Sequence, residues 1–108
     1  MNRVVITGMG IWSCLGKTLE DVRDSLYEGK SGIVFDPQRK EIGFRSALTG
    51  KVEVPDLKKE LSRSQRVFMP QQAKFAYCAT RDALRDAGVD EEYLDSNVVG
   101  LLYGNDSS

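Results

Sequence analysis

Val4, Val5, Ile6 and Thr7 make a short β-branched run closed by Gly8, the pattern of a buried strand. Thr18 followed by Asp21 is a capping-box start, and Leu19, Val22 and Leu26 recur at helical spacing until Gly29 supplies a stop. That spacing predicts a helix over residues 18–28. From Ser31 to about Pro55 the glycines, Pro37 and apolar bursts such as EIGFRSALTGKV carry no helical period, so a loop with a small hairpin is expected. A longer helix is predicted from Pro70 to Gly88, striped by Ala73, Ala76, Tyr77, Thr80, Leu84 and Ala87. Small side chains in the stripe allow close approach to a sheet or a second helix. The run VVGLLYG, Val98 to Gly104, reads as a second buried strand. Strand, helix and strand imply a right-handed parallel crossover, with residues 4–7 and 98–103 adjacent and the helix packed across them. Gly8 and Gly104 would then lie at neighbouring carboxyl ends of the sheet, where ligands gather in such folds.

The glycines after the first run invite a nucleotide reading, which the spacing opposes. A dinucleotide fingerprint opens straight into a helix and has an acidic residue at the end of a second strand about 20 residues on. Here Gly8, Gly10 and Gly16 precede a helix that starts only at Thr18, bulky Trp12 and Leu15 intervene, and the second clear strand comes some ninety residues later. The alternative for Gly8 and Gly10 is structural: a tight turn needing positive φ, or close packing.

Composition narrows the classes further. At 108 residues, 41% hydrophobic and 29% charged, the chain fits one globular domain. A net charge of −1 argues against nucleic acid as the main partner. No apolar run nears the roughly 18 residues of a membrane span, and MNRVVITG lacks a signal-peptide core, so a cytoplasmic protein without membrane partners is expected. The chain has no histidine, the usual acid/base near neutral pH and the usual base beside a cysteine or serine nucleophile. Its two cysteines, Cys14 and Cys78, lie far apart with no CxxC spacing, so neither a metal site nor a cofactor is expected. Both read as small hydrophobes, Cys14 being the more open to reaction because it sits in a loop.

Beyond spacing, the segments carry a resemblance. RVVITGMGIWSCLGKTLEDVRDSLYEGKSGI (Arg3 to Ile33), RSALTGKV (Arg45 to Val52), RVFMPQQAKFAYCATRDALRDAG (Arg66 to Gly88) and VVGLLYGND (Val98 to Asp106) are similar in order and spacing to the amino-terminal part of the β-ketoacyl-acyl-carrier-protein synthases, condensing enzymes of the thiolase superfamily. The resemblance implies an α/β class, a partial thiolase-like fold of parallel strands with crossover helices in αβα layers, with residues 1–108 as the amino-terminal part of one ketoacyl synthase domain. It implies a decarboxylative Claisen condensation between an acyl thioester and malonyl carrier protein in fatty acid or polyketide-type biosynthesis. The family's catalytic cysteine and two histidines lie beyond residue 108, so no residue here is expected to be catalytic and the 108-residue chain is expected to be inactive. A non-catalytic partner of the chain-length-factor kind remains an alternative within the same superfamily.

The resemblance also implies acyl carrier protein as a partner and a homodimer. Lys58, Lys59, Arg63 and Arg66 fall in the turn where the family docks that acidic partner, with Arg63 and Arg66 the docking candidates. A solvated charged turn is the alternative reading. Ser107 and Ser108 stand where relatives line the acyl pocket and dimer interface. Asp90, Glu91, Glu92 and Asp95 read as a solvated loop. Finally, the edge of VVGLLYG is expected to drive self-association of the 108-residue chain, burying Val98 to Tyr103.

Overall fold

The structure is a computed structural model and describes residues 1–106. Its contacts gather into two units, Trp12–Glu53 and Met1–Ile11 with Val54–Ser108.

In the unit Trp12–Glu53, helix α1 (Leu19–Tyr27) begins as its capping pattern requires: the Thr18 hydroxyl accepts from the Asp21 N–H at 3.1 Å. It ends at Gly29, whose φ of 67° only glycine adopts without strain. The expected stripe is rotated, because Leu26 is 65% exposed while Ser25 is buried and donates to Leu15 O at 2.8 Å. Strand β1 (Ile33–Phe35) pairs antiparallel with β2 (Leu48–Gly50), Val34 opposite Thr49. This is the small hairpin expected in the region, but its connection holds a helix that was not expected, α2 (Pro37–Ile42). Asp36 caps α2 by accepting from Gln38 N, Pro37 occupies the first turn, and Gly43 closes it at φ 92°.

In the other unit, the turn at Leu57, which is buried, leads into α3 (Arg63–Val67). A capping box starts α3, with Ser62 and Gln65 each satisfying the other's backbone N–H. Helix α4 (Gln71–Ala87) follows Pro70 and ends at Gly88, φ 69°, as expected from the sequence. The acidic run expected to be a solvated loop instead forms α5 (Glu91–Ser96), started by the Asp90 carboxylate accepting from Tyr93 N. Its acidic first turn suits a helix N-terminus.

The expected parallel pair is not formed. Among the described residues the sheet is β1–β2 alone, and residues 4–7 and 98–103 carry no ladder. Val98 and Leu102 are fully exposed and Ile6 is 86% exposed. A β-branched run favours an extended chain locally, but the hydrogen bonds of a strand need a partner that local preference cannot name.

What the start of the chain does contact is α4. A Cβ on Gly8 would stand 2.5 Å from Ala83 O and Ala87 N, and one on Gly10 would stand 2.0 Å from Ala79 O. Two extended residues advance about 6.6 Å and one helical turn of four residues about 6 Å, so Gly8 and Gly10 keep step with Ala87, Ala83 and Ala79. Met9 N donates to the Asp86 carboxylate at 2.9 Å between these two contacts. The two glycines are therefore sites of close packing, and neither has a positive φ.

Candidate functional site

The close packing of α4 against the Cβ side of Gly8 and Gly10 accounts for both glycines without a nucleotide. The two cysteines are buried to different degrees. Cys78 on α4 is 1% exposed, and burial pushes its thiol up from the usual range, which disfavours the thiolate. Cys14 is half-buried, and its Sγ stands against the backbones of Gly32 and Gly50, where a Cβ would lie 2.6 Å and 3.4 Å away. No group of three metal-ligating side chains exists among the described residues. No helix among them is long and apolar enough to cross a membrane. Ser107 and Ser108 lie outside the described residues.

The basic turn lies largely at the surface. Lys58, Lys59 and Arg63 are exposed. Arg66 is half-buried, and its Nε donates to Leu61 O at 3.1 Å, closing the loop that enters α3. The two candidates thus differ: the Arg66 guanidinium is partly committed within the chain, while Arg63 projects from the first turn of α3.

Behind this turn lies an ionic cluster that the sequence did not reveal. Arg81 on α4 is bracketed by Glu60 Oε1 at 2.5 Å and Asp82 Oδ1 at 2.9 Å, and all three side chains are at most about one third exposed. The Tyr77 hydroxyl donates to Glu60 Oε2 at 3.3 Å. The Arg81 hydrogen bond holds the Glu60 carboxyl below its usual range, and the two carboxylates raise Arg81 further. Burial pushes the Tyr77 hydroxyl up. Glu60 and Arg81 are 21 residues apart, and no local spacing rule couples them; only Tyr77 and Arg81, four apart on one helix face, could have been grouped.

Next to the cluster, an apolar cleft of about 470 Å³ runs along α4, lined by Ala73, Ala76, Tyr77, Thr80, Leu101 and Tyr103. The Tyr103 hydroxyl donates to Gln72 O at 3.3 Å and ties the end of the described chain to the first turn of α4.

Comparison with known proteins gives this arrangement its context. The family model described as the beta-ketoacyl synthase N-terminal domain matches residues 1–108. The chain is 38% identical to 3-oxoacyl-[acyl-carrier-protein] synthase 1 of Buchnera aphidicola subsp. Acyrthosiphon pisum, over 100% of its own length and 27% of the relative's. It is 38% identical to the Escherichia coli K12 protein of the same name, over 97% of this chain and 26% of that one. With 3-oxoacyl-[acyl-carrier-protein] synthase 2 of Synechocystis sp. the identity is 33%, over 95% of this chain and 25% of the relative. The chain thus spans about a quarter of the length of these relatives. On a match that runs from its first residue to its last, the chain belongs to the β-ketoacyl synthase family, within that family's N-terminal domain.

Proposed function

We propose that this chain serves as the amino-terminal part of a condensing enzyme that extends acyl chains held on acyl carrier protein, in fatty acid or polyketide-type biosynthesis. The observation that carries the reading is the 38% identity, over almost the whole chain, to proteins named 3-oxoacyl-[acyl-carrier-protein] synthase 1. In that reaction a cysteine thiolate takes the acyl group as a thioester. Malonyl carrier protein then loses carbon dioxide, and its carbanion attacks the thioester carbonyl and displaces the thiolate. The chain has no histidine and its Cys78 thiol is buried and disfavoured as thiolate, so its own part in the reaction is architectural and recognitive.

Residues 1–108 then form the amino-terminal part of one thiolase-like domain. In the whole domain residues 4–7 and 98–103 would pair as strands of a layered αβα sheet, a role that suits two apolar segments exposed and unpaired in this chain. Arg63 and Arg66 meet the acidic carrier protein, with Arg63 the more available. Ser107 and Ser108 belong to the acyl-pocket and dimer region of a cytoplasmic homodimer. The test is to incubate the natural protein that carries this chain, at its natural length, with acyl- and malonyl-loaded carrier protein. Mass spectrometry should find a 3-oxoacyl carrier protein two carbons longer, formed with release of carbon dioxide. Absence of chain extension would overturn the reading.

A further inference from the structure

Helix α3 is five residues long, too short to hold its own shape in water, so whatever presents Arg63 to a partner must come from its anchors. The capping box at Ser62 is local and would travel with the helix if the segment swung away. The Arg66 contact with Leu61 O is equally local. Leu57, 3% exposed, and Glu60, held by Arg81 and Tyr77 of α4, fasten the near end of the segment to its unit, while residues 68–70 join its far end to α4. The backbone between Leu57 and Glu60 is a single turn, with Glu60 N and Leu61 N both donating to Leu57 O at 3.1 and 2.9 Å. Glu60 is therefore held by α4 three positions ahead of Arg63. Arg81 in turn is fixed from its other side by Asp82.

We infer that Glu60 and Arg81 are positioning residues for carrier-protein docking: their ion pair, buttressed by Tyr77, locks the α3 turn onto α4 and so fixes the direction in which Arg63 meets an acidic partner. The inference rests on the docking role proposed for Arg63. Its logic is preorganisation, since a charge held in place gives up less freedom on binding than one on a loose turn.

Glu60 offers a test in which position and charge pull in opposite directions. Removing an acidic side chain makes this surface more basic, so simple charge attraction predicts tighter binding of an acidic carrier protein. Loss of the lock predicts weaker binding.

The experiment measures binding of a fluorescently labelled, phosphopantetheinylated acyl carrier protein by anisotropy, using the natural protein that carries this chain. Glu60→Ala and Arg81→Met are each expected to weaken binding about fivefold, Arg81→Lys is expected to restore most of the loss, and the double variant is expected to be no worse than either single one. Circular dichroism spectra and melting curves of each variant identify any that fails to fold, and Arg81→Lys with Tyr77→Phe then carry the comparison. Arg63→Glu is measured in parallel. If it leaves binding unchanged, the docking role itself is wrong. If Arg63→Glu weakens binding while Glu60→Ala leaves it equal or tightens it, docking stands and the positioning role is refuted.

Discussion

Replacing Gly10 by alanine tests the packing on which the amino-terminal segment depends. The added Cβ would stand 2.0 Å from Ala79 O, 2.6 Å from Ala83 N and 3.0 Å from Ala79 C, all of them helix backbone. To reach the 3.4 Å at which ordinary contact begins, the segment must retreat by about 1.4 Å from α4. No side chain can rotate away to make room. That retreat also strains the hydrogen bond from Met9 N to Asp86, one residue back. Overpacking a filled interior costs about 1–3 kcal/mol, and a clash with rigid backbone belongs at the upper end, so about 3 kcal/mol is expected. Two companions calibrate the result. Gly29→Ala meets nothing within 4 Å but has φ 67°, so it should lose only about 1 kcal/mol from left-handed strain. Ala79→Gly should not rescue Gly10→Ala, because the obstruction is the carbonyl of residue 79 and not its methyl group. Urea unfolding of the three variants and the double variant, followed by circular dichroism, reads these differences directly. A loss below about 0.5 kcal/mol for Gly10→Ala, or rescue by Ala79→Gly, would refute the close-packing account.

Three further outcomes are expected. A thiol reagent in native buffer should modify Cys14 well before Cys78, which should react only at the rate of unfolding; equal rates would contradict the burial of Cys78. Because Arg81 lowers the Glu60 carboxyl below its ordinary value of 4.5, the pair's stabilisation is present above that value and lost as pH falls through the lowered one. Arg81→Met should therefore flatten the loss of stability in acid below about pH 4.5, and an unchanged acid limb would show that the pair is not coupled to folding. Lastly, light scattering of the 108-residue chain should show a mass that rises with concentration, because Val4, Ile6, Val98 and Leu102 leave apolar, unpaired segments in water. A constant monomer mass, with residues 98–103 protected from hydrogen exchange, would rule this out.

What the sequence determined by itself is what its neighbours along the chain decide. Thr18 with Asp21 starts α1 and Gly29 ends it, while the stretch from Pro70 to Gly88 marks α4, because caps and left-handed stops act over one helical turn. The same kind of signal stands at α2 in Asp36-Pro37 and Gly43, at α3 in Ser62 and Gln65, and at α5 in Asp90 with its acidic first turn, but these short segments lack the apolar period that marks a longer helix. Family membership was also legible, since the order and spacing of its segments survive without any knowledge of contacts. Only tertiary structure decided the rest. That β-branched run at residues 4–7 specifies an extended chain but not its partner, and here α4 receives the following glycines while no neighbouring strand pairs with the run. Whether Gly8 and Gly10 served a turn, a ligand or packing depended on Ala79, Ala83 and Ala87, about seventy residues away. The lock between Glu60 and Arg81 depended likewise on a loop laid against a helix. Local rules end at about one helical turn, and these choices are made by contacts between residues that the chain holds far apart.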